Sequence, residues 1–115
     1  MHVLVVGAGR VGAAVLLQLK KNPNIEVLTV DPREDPYAVE QKIIPDVDFH
    51  EALTPNALEY VIAQTKPDMV LVTTAAEDMG FGKAPGIDIL VEALREELAA
   101  IADVPVVAVA RTAPR

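Results

Sequence analysis

Two spacings of apolar residues alternate along the chain. Residues 2–6 and 25–30 are short, nearly continuous apolar runs with β-branched members, and each predicts a strand. Between them, Val11, Ala14, Val15 and Leu19 recur at helical spacing, which predicts a helix over 10–21 that Asn22-Pro23-Asn24 breaks. Asp35-Pro36 offers a cap followed by proline, predicting a short helix over 36–43. Residues 47–50 read as a brief third strand. Thr54-Pro55 repeats the cap-proline signal ahead of Leu58, Val61, Ile62 and Thr65, and Lys66-Pro67-Asp68 closes that helix. Residues 69–73 predict a fourth strand. Ile87, Leu90, Val91, Leu94, Leu98 and Ile101 share one face of a helix over 87–102, and 105–110 predict a fifth strand. The stretch 77–86, with three glycines and a proline, reads as loop, and the tail from Arg111 as frayed.

Strands that alternate with helices imply a parallel sheet joined by crossovers. Apolar runs with no polar face suit strands covered on both sides. The expected architecture is a single α/β, doubly wound, Rossmann-type domain over residues 1–115. Its expected sheet has five parallel strands in the order 3-2-1-4-5, with the flavodoxin-like 2-1-3-4-5 as the alternative.

Composition narrows the function. Hydrophobic residues make up 51% of the chain and aromatic ones only 3%, so the core must be aliphatic. The net charge of −7 gives no basic stripe with which to neutralise phosphates, which argues against nucleic acid as a partner. It argues equally against an anionic membrane surface. No apolar run approaches bilayer-spanning length, and with no cysteine present, disulfides and thiolate chemistry are excluded. The expectation is a cytoplasmic domain without direct membrane insertion.

Gly7, Gly9 and Gly12 fit G-x-G-x-x-G between a predicted strand and a predicted helix. Such glycines serve a tight turn, close approach to a pyrophosphate, and tight helix-strand packing, in that order. The helix, here beginning at Arg10 and Val11, then turns free N–H groups and its positive dipole end toward an anion. Asp31 ends the second strand, nineteen residues beyond Gly12, where a carboxylate accepts hydrogen bonds from ribose hydroxyls. An ordinary Asp-Pro turn through Pro32 is the plainer reading of the same residues. Arg10 opposes the helix dipole, which fits either a solvated side chain or a bound phosphate. Arg33 is able to hold a 2′-phosphate, but Asp31, Glu34 and Asp35 repel one, so NAD(H) is favoured over NADP(H).

His50 and Glu51 end the third predicted strand, and Thr73 and Thr74 the fourth, all at the carboxyl edge where ligands sit. Capping or surface roles account for these four about as well. The charges Glu92, Arg95, Glu96 and Glu97 read as a solvated helix face. No Ser/His/Asp set, paired carboxylates or metal-ligand cluster stands out in the sequence, so no catalytic or metal site is assigned.

The segments "VVGAGRVG" (5–12), Asp31, "FHEALTPNAL" (49–58), "PDMVLVTT" (67–74) and "VVAVAR" (106–111) occur in this order. Together they resemble the TrkA-N, or RCK N-terminal, family across nearly the whole chain. That resemblance implies a regulatory domain that binds NAD(H) or another adenine nucleotide and serves potassium transport. The family's Gly-Asp-Ala-Thr-Asp-Pro segment corresponds to 50–55 here, with His50 in place of the glycine. Glu51 thus matches the family's adenine-side acid, and Thr74 its threonine near the ribose or nicotinamide.

The expected ligand is therefore NAD(H), with NADP(H), ATP, ADP and AMP as alternatives. The expected partners are a second copy of the chain and a membrane transporter subunit. A different class of function stays open: the cofactor-binding part of an NAD-dependent oxidoreductase. Turnover by this chain alone is not expected, because no base or nucleophile is placed against a substrate.

Overall fold

The computed structural model describes residues 1–73 and 87–109. The loop segment 77–86, Thr74 and the tail from Arg111 lie outside the described residues. Four strands, β1 (His2–Val6), β2 (Glu26–Val30), β3 (Met69–Val72) and β4 (Val106–Ala108), form one parallel sheet in the order β2-β1-β3-β4. In register, Leu4 pairs with Leu28 on one side and with Val70 on the other. The helices are α1 (Arg10–Leu19), α2 (Tyr37–Glu40), α3 (Pro55–Thr65) and α4 (Ile87–Ile101).

The period-two pattern of β1 sorts the core into two layers. Leu4 and Val6 join Val30, Val70, Val72 and Val106 beneath Leu58 and Val61 of α3 and Leu94 and Leu98 of α4. Val3 and Val5 point the other way, onto Ala13 and Leu16 of α1 and Ala38 of α2. α1 and α2, which follow β1 and β2, thus cover one face, and α3 and α4, which flank β3 in the chain, cover the other. At the carboxyl ends of β1 and β3 the two windings diverge, and in open α/β sheets this is where a ligand crevice forms.

Among the described residues the sheet has four strands, not the five expected from the sequence. Segment 47–50 touches β2 through a single parallel bridge, Val30 to Phe49. The reason lies at Asp48. Its carboxylate accepts the Thr29 N–H at 2.8 Å, while the Asp48 and Phe49 N–H groups both donate to the Thr29 carbonyl. A side chain thereby takes a donor that a longer ladder needs. The four strands stand as 26–30, 2–6, 69–72 and 106–108, the order that 3-2-1-4-5 gives its strands 2, 1, 4 and 5, and the lone bridge sets 47–50 beside β2; the fully five-stranded ladder is not formed, and the 2-1-3-4-5 alternative is not followed.

Helix ends follow local chemistry. Thr54 caps α3, its hydroxyl accepting from the Ala57 N–H at 3.4 Å, with Pro55 in the first turn. Lys66 ends α3 in the left-handed conformation at φ 47°. The second predicted helix is shorter than expected and begins later. Pro36, extended at ψ 170°, is its cap instead of Asp35, and Lys42 at φ 58° follows a single turn. On α4, Arg95 pairs with Glu92 at 2.7 Å on the helix surface, and Ile101 of the predicted apolar face is 43% exposed.

Candidate functional site

The glycine turn follows directly on β1. Gly7 holds φ at 100°, a region that side chains disfavour, and its N–H donates to the Val30 carbonyl at 2.8 Å. The turn is therefore tied to the end of β2. Gly9 is the N-cap of α1 at φ −78°, so its backbone conformation alone does not demand glycine. The helix it opens has no side-chain cap and no acid in its first turn. Its first N–H groups have no partner within the helix and carry the positive end of the dipole.

Gly12 is required by packing. A Cβ there falls on the carbonyl of Gly7 and within 2.9 Å of Thr73 Oγ1. Thr73 is buried at the end of β3, and its hydroxyl contacts the carbonyls of Val6 and Gly7, each at 2.9 Å. One hydroxyl proton serves both, and the contact fastens the turn from beneath. Of the residues picked out in the sequence, Gly7, Gly12 and Thr73 thus meet at one point.

Asp31 closes the other side. Its side chain is fully buried, and its two oxygens accept four hydrogen bonds. Oδ2 takes the Ala8 N–H at 2.9 Å and the Arg33 terminal nitrogen at 2.7 Å. Oδ1 takes the Arg33 backbone N–H and Nε, each at 2.9 Å. Burial pushes the carboxyl group's pKa up. The Arg33 guanidinium and the two backbone N–H groups outweigh that effect and hold it below the ordinary carboxylate value. Asp31 is thus an anion built into the turn, tied across the strand ends to the backbone between Gly7 and Gly9.

The sequence offers Arg33 to a 2′-phosphate. The structure instead folds it onto Asp31 in a forked pair, with the Arg33 side chain 37% exposed. The Asp-Pro-Arg sequence carried a signal for this: an Asp carboxylate bonding the N–H two residues on is a common turn closure. Pro32, between them, is exposed. His50 adds a link that spacing did not reveal. Its Nδ1 lies 3.1 Å from the Arg33 carbonyl and its Nε2 lies 3.1 Å from Asp46 Oδ1. Both partners are acceptors, and the ring nitrogen that carries the proton donates to the one it faces.

The remaining predicted residues stand farther out. Arg10 is exposed, with its guanidinium 4.7 Å from the centre of the Tyr37 ring, a cation-π arrangement. Arg10, Val11 and Tyr37 line an open groove of about 840 Å³ along α1 and α2. Glu51 is half-buried in the segment before α3. Thr74 lies outside the described residues.

No protein-family model and no curated protein sequence matches this chain. Solved structures do. The chain is similar to a UDP-glucose 4-epimerase from Thermotoga maritima, solved with UDP-glucose, at 21% identity and a TM-score of 0.60. The match covers 93% of this chain and 37% of that one. It is also similar to glycinamide-RNase-transformylase T from Mycobacterium tuberculosis, at 17% identity and a TM-score of 0.52, over 70% of this chain and 25% of that one. The fold is Rossmann-like. The chain spans well under half the length of either protein, and neither match names the TrkA-N family.

Proposed function

We propose that this chain is a nucleotide-binding regulatory module whose ligand is NAD(H). In this reading the α1 N-terminus and the Gly7–Gly12 turn receive the pyrophosphate, and Asp31 receives the adenosine ribose. The observation that carries it is the construction of the turn. Gly7 takes a positive φ, Gly12 admits no Cβ, and Asp31 is held ionised against the backbone between them. An uncapped helix end supports a phosphate site, and the buried carboxylate fixed beside it at a strand-order switch supports a ribose site once its present donors are exchanged.

The likeness to a protein solved with UDP-glucose, a nucleotide sugar, supports a nucleotide ligand in the broad sense. The choice of NAD(H) over NADP(H), ATP, ADP or AMP rests on Asp31, and the regulatory role in potassium transport rests on the sequence resemblance. The alternative, a cofactor-binding part of an NAD-dependent oxidoreductase, uses the same turn and differs only in what the bound nucleotide does.

A thermal-shift panel of NAD, NADH, NADP, ATP, ADP and AMP tests the proposal. A ligand at about 100 times its dissociation constant stabilises the folded state by about 2.7 kcal/mol. NAD or NADH is expected to give the largest rise in melting temperature. A panel in which no nucleotide shifts the melting temperature contradicts the proposal.

A further inference from the structure

Asp31 has no capacity left for a ribose as it stands. A carboxylate offers about four lone-pair sites, and Asp31 already accepts four hydrogen bonds. Two of the donors are backbone N–H groups, from Ala8 in the glycine turn and from Arg33 itself. The other two belong to the Arg33 guanidinium, whose side chain reaches solvent. The backbone donors are held by the turn. The guanidinium is the part able to swing away, and its two N–H groups occupy the kind of acceptor positions that a pair of vicinal hydroxyls takes.

We propose that Arg33 is a latch on the ribose position. Its guanidinium competes with the nucleotide for Asp31, and binding requires the exchange of two N–H donors for two ribose hydroxyls. This rests on the nucleotide reading given above. His50 borders the rest position of the latch, its Nδ1 3.1 Å from the Arg33 carbonyl and its Nε2 3.1 Å from Asp46 Oδ1. Asp46 is itself fixed, its Oδ1 accepting the Val47 N–H at 2.8 Å. The latch therefore returns to one place, and affinity for the nucleotide is set partly by how firmly Arg33 is held.

The opposite role for Arg33 is to attract a ligand phosphate. The two roles predict opposite signs. Calorimetric titration of NADH and NADPH into the wild type, Arg33→Gln and His50→Ala separates them. The latch predicts that Arg33→Gln binds NADH about tenfold more tightly, about 1.4 kcal/mol. His50→Ala, which leaves the buried ion pair intact, is expected to tighten NADH binding by a smaller factor and carries the test alone if Arg33→Gln does not fold. If the wild type binds NADH and the folded variants bind it equally or more weakly, the latch is overturned and the nucleotide reading stands. Weaker NADPH binding by Arg33→Gln with unchanged NADH binding assigns Arg33 to phosphate and likewise overturns the latch. If neither the wild type nor a folded variant binds either nucleotide, the underlying reading fails and the latch with it.

Discussion

Gly12 shows how one missing methyl group joins fold and site. Its Cα faces the Gly7 carbonyl and the Thr73 hydroxyl, so any side chain pushes α1 away from the end of β1. Small-to-large changes in a packed site cost about 1–3 kcal/mol. Here the obstacle is backbone, which yields less readily than a side-chain tip. Gly12→Ala is expected to destabilise the domain by about that amount in urea titrations and to weaken any response to nucleotide. A variant as stable as the wild type, with an unchanged response, shows that the turn is looser than described. The three glycines were visible in the sequence because spacing alone carries that signal. The engagement of Asp31 was not, because a carboxylate's partners depend on where the Arg33 side chain folds. The position of Thr73 at a strand end is legible in the apolar run before it. Its inward orientation, with the hydroxyl on the turn carbonyls, depends on how β1 and β3 come together and is not legible there.

Among the elements, those whose apolar spacing continues for a full face were readable. β1 spans the predicted residues, and α3 begins and ends on the cap-proline and Lys-Pro signals that mark it. Elements built from a few residues were not. The predicted third strand reduces to one bridge because the Asp48 carboxylate occupies the Thr29 N–H. Such competition between side chain and ladder leaves no trace in periodicity. The second helix loses its predicted Asp35 cap because Pro36 itself stays extended, and Lys42 ends it in a left-handed turn. Arg33 precedes the second helix, Asp46 precedes the third predicted strand and His50 ends it, so the latch lies beside the elements where local sequence rules were weakest.

For the molecule as a whole, the two-layer core places the glycine turn and the end of β2 at one edge of the sheet, where the windings part. Among the described residues no helix is long and apolar enough to cross a membrane. Tyr60 and Ile101, at 56% and 43% exposure, leave apolar surface on α3 and α4. In line with the proposed regulatory role, a homodimer is expected, and sedimentation at micromolar concentration with and without NADH checks it. A monomer under both conditions rules that assembly out.

Ribose recognition by Asp31 is decided by titrating NADH into the wild type and Asp31→Asn. Asparagine keeps an oxygen for the Ala8 N–H but loses the charge and one acceptor. Hydrogen bonds to a charged group contribute about 1.5–3 kcal/mol. NADH affinity is expected to fall by about tenfold or more in Asp31→Asn, at about 1.4 kcal/mol per decade, while the variant remains folded. Equal NADH affinity in the two folded proteins would contradict it.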